Sequence, residues 1–175
     1  MIRPFEKTIP TLGRGVYVDE QACVIGDVQL GDDVSVWPFA AVRGDVNRIR
    51  IGARSNVQDN AVLHVTHDGP YSPGGVALEI GEDVTIGNGV ILHACTLGNR
   101  ILVGMGSRVL DRAVIEDDVF LAAGSLVTPG KRLQSGWLHG GQPARPMREL
   151  RPQEIEQLKY SAEHYVRLKN RYLAA

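Results

Sequence analysis

Two histidines carry the first chemical signal. His64 and His93 directly follow Leu63 and Leu92 in the similar segments Val-Leu-His and Ile-Leu-His. Imidazole ligates metals and changes charge near neutral pH, with a free pKa of ~6.5. His67 follows His64 by three residues. Nearby stand polar residues able to hold water or pair charges: Arg43, Asp45, Asn56, Gln58 and Asp59. Arg and carboxylates form bidentate pairs. Whether His64 and His93 meet depends on the elements between them.

Those elements repeat. Val18, Val24, Leu30, Val36 and Val42 fall six residues apart, as do Ile51, Val57 and Leu63, then Ile80, Ile86 and Leu92. The longest run is Leu97, Val103, Val109, Ile115, Leu121 and Val127. A helix has a period of 3.6 and a flat strand a period of two, so neither fits. A triangular coil does, with one short strand and one turn per hexad, three hexads per coil and the aliphatics stacked inward. Gly31, Gly52, Gly81, Gly87, Gly98 and Gly104 directly follow the periodic aliphatics, and glycine supplies positive φ at corners. The fold class predicted is an all-β solenoid, a parallel β-helix whose coils contact only their neighbours.

The period breaks twice. Val42 to Ile51 holds three extra residues within Gly44–Arg48, and Leu63 to Leu92 holds eleven, in a loop over 65–77. Without those eleven, His64 and His93 lie one coil apart and stack roughly 5 Å from each other. Spacing alone fits a metal pair and two hydrogen-bonded surface histidines equally well.

The predicted organisation is a β-helix over 1–140 and a C-terminal amphipathic helix over 150–174 packed on the same domain. Pro143, Pro146 and Pro152 end the strand pattern, and Pro152 suits a first helical turn. Ile155, Leu158, Ala162, Tyr165 and Leu168 or Lys169 form the inward stripe, with Lys159, Glu163 and Arg167 outside. Tyr165 reads as packing, Cys95 as a small buried hydrophobe, and His139 and His164 as surface residues.

Composition narrows the classes. Twenty of 175 residues are Gly and only 6% are aromatic, so small aliphatics build the core. The glycines lack a period of three, which excludes collagen. No run of 18 apolar residues exists, so no membrane span is expected. Met1–Pro10 lacks the apolar segment of a signal peptide. Two cysteines are too few for a disulfide framework and fit a reducing cytoplasm. Residues 131–175 carry nine Lys or Arg against four Asp or Glu. They show no basic run and no base-stacking motif, which points to a basic helix on an acidic body rather than to nucleic acid.

Specific segments go further. Val42-Arg43-Gly44-Asp45, Arg54-Ser55-Asn56-Val57-Gln58-Asp59 and Val62-Leu63-His64 resemble the gamma-class carbonic anhydrases and their bacterial homologues. So do the segments Ile86-Gly87 through Leu92-His93-Ala94-Cys95 and Gly141-Gln142-Pro143-Ala144-Arg145. The resemblance covers nearly the whole chain. It implies a left-handed β-helix and a homotrimer with a divalent metal, zinc by preference, between two prisms. Metal-bound hydroxide would attack CO2 or a related carbonyl of a small-molecule substrate.

His64 and His93 match the two ligands from one subunit. Asn88 stands where the neighbouring subunit's histidine would be the third, and Asn offers only a neutral carbonyl oxygen. A weaker site, a site completed by His67, and no metal all remain open. Val46 stands where some active members carry a glutamate. Gln58 would hold the bound water, Asn56 would assist, and His67 would shuttle protons. Arg43, Asp45 and Asp59 read as interface residues. Two other functions fit the hexads: an acyl-CoA-dependent acyltransferase and a non-catalytic trimeric binding protein.

Overall fold

The computed structural model describes residues 1–175. The chain is a left-handed parallel β-helix followed by one helix. Its three faces are ladders of short parallel strands. On the first, Val24, Val42, Leu63, Leu92, Val109 and Val127 pair in register. On the second, Leu30, Ile51, Ile80, Leu97, Ile115 and Leu133 do so. On the third the ladder is Val18, Val36, Val57, Ile86, Val103, Leu121 and His139. Nearly all of these side chains are fully buried and belong to one continuous apolar core. The six-residue period thus becomes three stacks along the prism axis.

At the first break the wall stays intact. Ala41–Ile51 is a single strand that crosses a corner beside Cys23–Leu30, with an irregularity between Gly26 and Val28. The eleven-residue insertion projects between strands Val62–His64 and Leu78–Ile80. It is a narrow hairpin, bridged at Thr66–Val76 and Gly69–Ser72. Arg112 anchors it by donating to Ser72 Oγ at 2.8 Å, and Tyr71 at its tip is 98% exposed.

The glycines after the periodic aliphatics serve a different purpose from the one expected. None of the six has positive φ. That conformation falls two residues later, at Asp33, Arg54, Asp83 and Arg100, and at Gly89 and Gly106. The six glycines are required because the next coil passes too close for a Cβ. At Gly52 an added Cβ would stand 2.5 Å from the Gly81 carbonyl carbon and 2.7 Å from the Glu82 nitrogen. Both are backbone atoms and cannot rotate away. Gly52→Ala is therefore expected to cost about 1–3 kcal/mol through overpacking. Calorimetry should show a fall of roughly 2–4 °C for each kcal/mol; an unchanged Tm would mean the coils separate freely.

The last coil corrects a second expectation. Strand Trp137–Gly141 extends the third face, and His139, expected at the surface, occupies the next inward rung and is 2% exposed. Its Nε2 lies 3.0 Å from the Gln134 carbonyl, while Nδ1 is buried without a partner. Pro143 and Pro146 do not end the strands either. Ala144–Glu149 folds back antiparallel on Trp137–Gly141 and closes this end of the prism.

The C-terminal helix, Pro152–Leu173, starts with Pro at its first turn and a capping box between Arg151 and Glu154. It lies on the third face. Trp37 meets Tyr165 edge-on at 5.6 Å and Tyr172 at 5.2 Å, and Thr85 donates to Ser161 Oγ at 3.1 Å. Its buried residues are Leu158, Ala162 and Lys169. Ile155, expected inward, is 38% exposed. Lys169 is fully buried and its Nζ lies 2.8 Å from Asp33 Oδ1. The long stem covers apolar surface while the ammonium finds its partner at the helix edge.

Candidate functional site

His64 and His93 stand outward on adjacent rungs of the first face, in register across the ladder. Register alone brings them together: their centroids are 5.3 Å apart and His64 Nδ1 lies 3.3 Å from His93 Nε2. Each ring is backed by a carboxylate. His64 Nε2 is 3.0 Å from Asp45 Oδ1, and His93 Nδ1 is 2.6 Å from Asp111 Oδ1. Arg43 pairs with the other Asp45 oxygen, and Thr66 donates to the other Asp111 oxygen. Burial works to raise both carboxyl pKa values. Hydrogen bonds from His64 and Arg43 to Asp45, and from Thr66 and His93 to Asp111, outweigh it and hold both below the ordinary 3.8.

This arrangement fixes the protons. An ionised carboxylate only accepts, so the nitrogen facing it must carry hydrogen. In neutral rings that leaves His64 Nδ1 and His93 Nε2 presenting lone pairs to each other at 3.3 Å. Two lone pairs facing at that distance suit a cation between them. No group of three or more His, Cys, Asp or Glu in the chain is arranged to hold a metal, so a full ligand set needs a donor from outside the chain or of another type.

The other candidates are spread around the prism. Asn88 is exposed on the turn before Gly89, with Nδ2 3.9 Å from Met105 Sδ and no hydrogen bond to either histidine. His67 is exposed on the hairpin and makes no hydrogen bond. Asp59 makes no side-chain hydrogen bond or ion pair within the chain, and Arg43 pairs with Asp45 instead. Asn56 and Gln58 lie on the third face, buried, away from the histidine face. Gln58 Nε2 donates to Asn56 Oδ1 at 3.1 Å, and Asn56 Nδ2 donates to Thr85 Oγ1 at 3.1 Å. Gln58 and Tyr165 help line a cavity of about 490 Å³ between this face, the helix and the terminal hairpin. Burial, then the Asp59 charge, pushes the Tyr165 phenol above its ordinary value. Cys95 is buried, and burial pushes its thiol far up, which marks it as a packing residue.

No family model matches the chain, but several proteins do. Protein YrdA of Escherichia coli is 52% identical over 173 residues, 99% of this chain and 94% of its own length. Gamma carbonic anhydrase 2 of Arabidopsis thaliana, a mitochondrial protein, is 40% identical over 96% of this chain and 60% of its own length. A crystal structure of a hexapeptide transferase family protein from Anaplasma phagocytophilum matches with a TM-score of 0.89 at 43% identity, covering 98% of each chain. The chain belongs to the gamma carbonic anhydrase-like family of hexapeptide-repeat proteins. No helix of this gamma carbonic anhydrase-like chain is long and apolar enough to cross a membrane.

Sequence reasoning missed Asp111. Its signal was available: one uninterrupted coil is eighteen residues, and eighteen residues after His93 stands Asp111. Asp45 was read as an interface residue, yet within this gamma carbonic anhydrase-like chain it also anchors His64.

Proposed function

We propose that the protein is a homotrimeric, cytoplasmic, gamma-carbonic-anhydrase-like metalloprotein whose His64 and His93 hold a divalent cation, zinc by preference. The observation that supports this is the pair of facing imidazole nitrogens, 3.3 Å apart, each ring held from behind by a carboxylate. Histidines on zinc usually donate their other N–H in this way. Two nitrogens bound at about 2.0–2.1 Å in a tetrahedral site lie about 3.3 Å apart, so the donors fit the ion. A divalent cation there supplies the Lewis acidity that makes water nucleophilic near neutral pH.

The chain's own residues do the rest. Asp45 and Asp111 fix the tautomers and ring orientations. In the trimer, the Gln58 face of one prism adjoins the histidine face of the next. Asn88 of that neighbour then supplies a neutral oxygen, and Gln58, steadied by Asn56, orients the attacking water. Water adds to CO2, or to a related carbonyl carbon, and His67 passes the released proton to solvent. Arg43 and Asp59, the latter without a partner in its own chain, belong to the contact between prisms.

Elemental analysis of the purified protein after exposure to zinc, with a CO2-hydration assay, tests the proposal. About one zinc per chain is expected in the wild type and almost none in His93→Ala. Absence of metal from the wild type overturns the reading. A second reading, acyl transfer, is favoured by the apolar cavity beside Gln58; a rise in Tm with coenzyme A would support it.

A further inference from the structure

The inserted hairpin takes the place of a corner turn. In the next two coils the chain rounds this corner through one residue of positive φ, Ala94 at 47° and Arg112 at 60°. Those turns stack: Ala94 N donates to the His64 carbonyl at 3.0 Å, and Arg112 N to the Ala94 carbonyl at 2.7 Å. The hairpin therefore leaves the wall directly after His64 and one coil from His93. Its base is closed by the backbone pair of Thr66 and Val76, at 3.0 and 2.9 Å.

Three side-chain bonds tie the hairpin down. Asn47 Nδ2 donates to the Thr66 carbonyl at 3.2 Å, Arg112 to Ser72 Oγ at 2.8 Å, and Thr66 Oγ1 to Asp111 Oδ2. The third differs from the others, because its acceptor is already engaged at the site. Asp111 Oδ1 lies 2.6 Å from His93 Nδ1, so one carboxylate joins the hairpin to the ring. These two are the only side-chain hydrogen bonds that Asp111 makes. A carboxylate turns easily about its last torsion, which has broad minima. One contact leaves its plane free, whereas a donor on each oxygen fixes it. Threonine is β-branched and stiff, so it delivers its hydroxyl in a set direction. Asp45 is steadied otherwise, by Arg43 of its own strand. The carboxylate behind His64 is thus held from within the wall, and the one behind His93 from the insertion.

We propose that Thr66 is a positioning residue for His93. Through Asp111 its hydroxyl fixes the plane and the tautomer of that ring, so seating the hairpin and readying the ring are one event. Lifting the hairpin releases His93 and leaves His64 held. In its effect on metal affinity the inference rests on the reading of these histidines as ligands; in its effect on the ring it does not.

Thr66→Val keeps the branched shape and removes the donor, and Thr66→Ser restores the donor. Imidazole ¹⁵N shifts of the metal-free oligomer, at a pH where both rings are neutral, read the tautomers. His93 should carry its proton on Nδ1 in the wild type and in Thr66→Ser, and populate both tautomers in Thr66→Val. His64 should be unchanged throughout. Chelator competition should show zinc bound about tenfold more weakly by Thr66→Val and about as tightly as wild type by Thr66→Ser, within the ~10–100-fold effect of partners behind a ligand. If Thr66→Val fails to fold, Thr66→Ala takes its place under the same readouts. A hydroxyl that only braced the hairpin would, when removed, speed amide exchange at Val76 and leave the His93 tautomer as it was; that result overturns the inference. So does a mixture of His93 tautomers in Thr66→Ser equal to that in Thr66→Val. Zinc absent from the wild type overturns the metal reading alone, because the tautomers still decide this one.

Discussion

Asn88→His is expected to raise zinc affinity about 100-fold, or about 2.7 kcal/mol at 1.36 kcal/mol per factor of ten. The expectation comes from donor chemistry. A carboxamide oxygen is a poor ligand for zinc, whereas imidazole is among its preferred ones. The fold should accept the change, because Asn88 is exposed and its side chain's one polar contact is Met105 Sδ at 3.9 Å. Competition with a chelator reads the affinity, and CO2 hydration should rise with it. Unchanged affinity would mean that Asn88 does not face a neighbour's histidine pair, and the composite site would have to be abandoned. Metal and activity gained only by the variant would identify the natural chain as one that has lost the chemistry while keeping its frame.

Leu92→Ala should be the most damaging of the substitutions to stability. Leu92 is fully buried, stacked between Leu63 and Val109, and its backbone carries His93. Truncating a buried leucine costs about 2–5 kcal/mol, because a rigid surround leaves a cavity. The prism offers little relief, since each rung is tied by backbone hydrogen bonds to the rungs on either side. A fall in Tm of roughly 5–15 °C is expected at ~2–4 °C per kcal/mol, against almost none for Tyr71→Ala at the hairpin tip. The variant should also bind metal more weakly, since the two imidazoles are held by the same rung. Intact metal affinity in a destabilised variant would show that the carboxylates alone set the geometry.

The period made the prism legible because one structural rule, an inward side chain per hexad, repeats with little exception. It also placed His64 beside His93 once the loop was set aside. Four features depart from the sequence reading, for separate physical reasons. The post-aliphatic glycines were explained by backbone conformation, whereas they answer to an approach between coils, which is a property of neighbours distant in sequence. His139 hides its place because a polar residue interrupts the apolar phase, although the period from Val127 through Leu133 leads to it. Asp111 carries no signal in the residues flanking either histidine, because its contact with His93 is made across a coil. The helix stripe departs from expectation at Ile155 alone, since a single helix shows its amphipathic face but not where the surface beneath it ends.

The antiparallel return of Ala144–Glu149 on Trp137–Gly141 has a consequence for behaviour in solution. A parallel solenoid is a sheet with two open ends, and either end could template another molecule, coil upon coil, into a filament. At the C-terminal end the last ladder reverses direction. An incoming coil of the same polarity finds there a strand of opposite sense, carrying Pro146 in place of one hydrogen-bond donor. The reversal opposes lengthwise polymerisation at that end and leaves association to the sides of the prism, the histidine face among them.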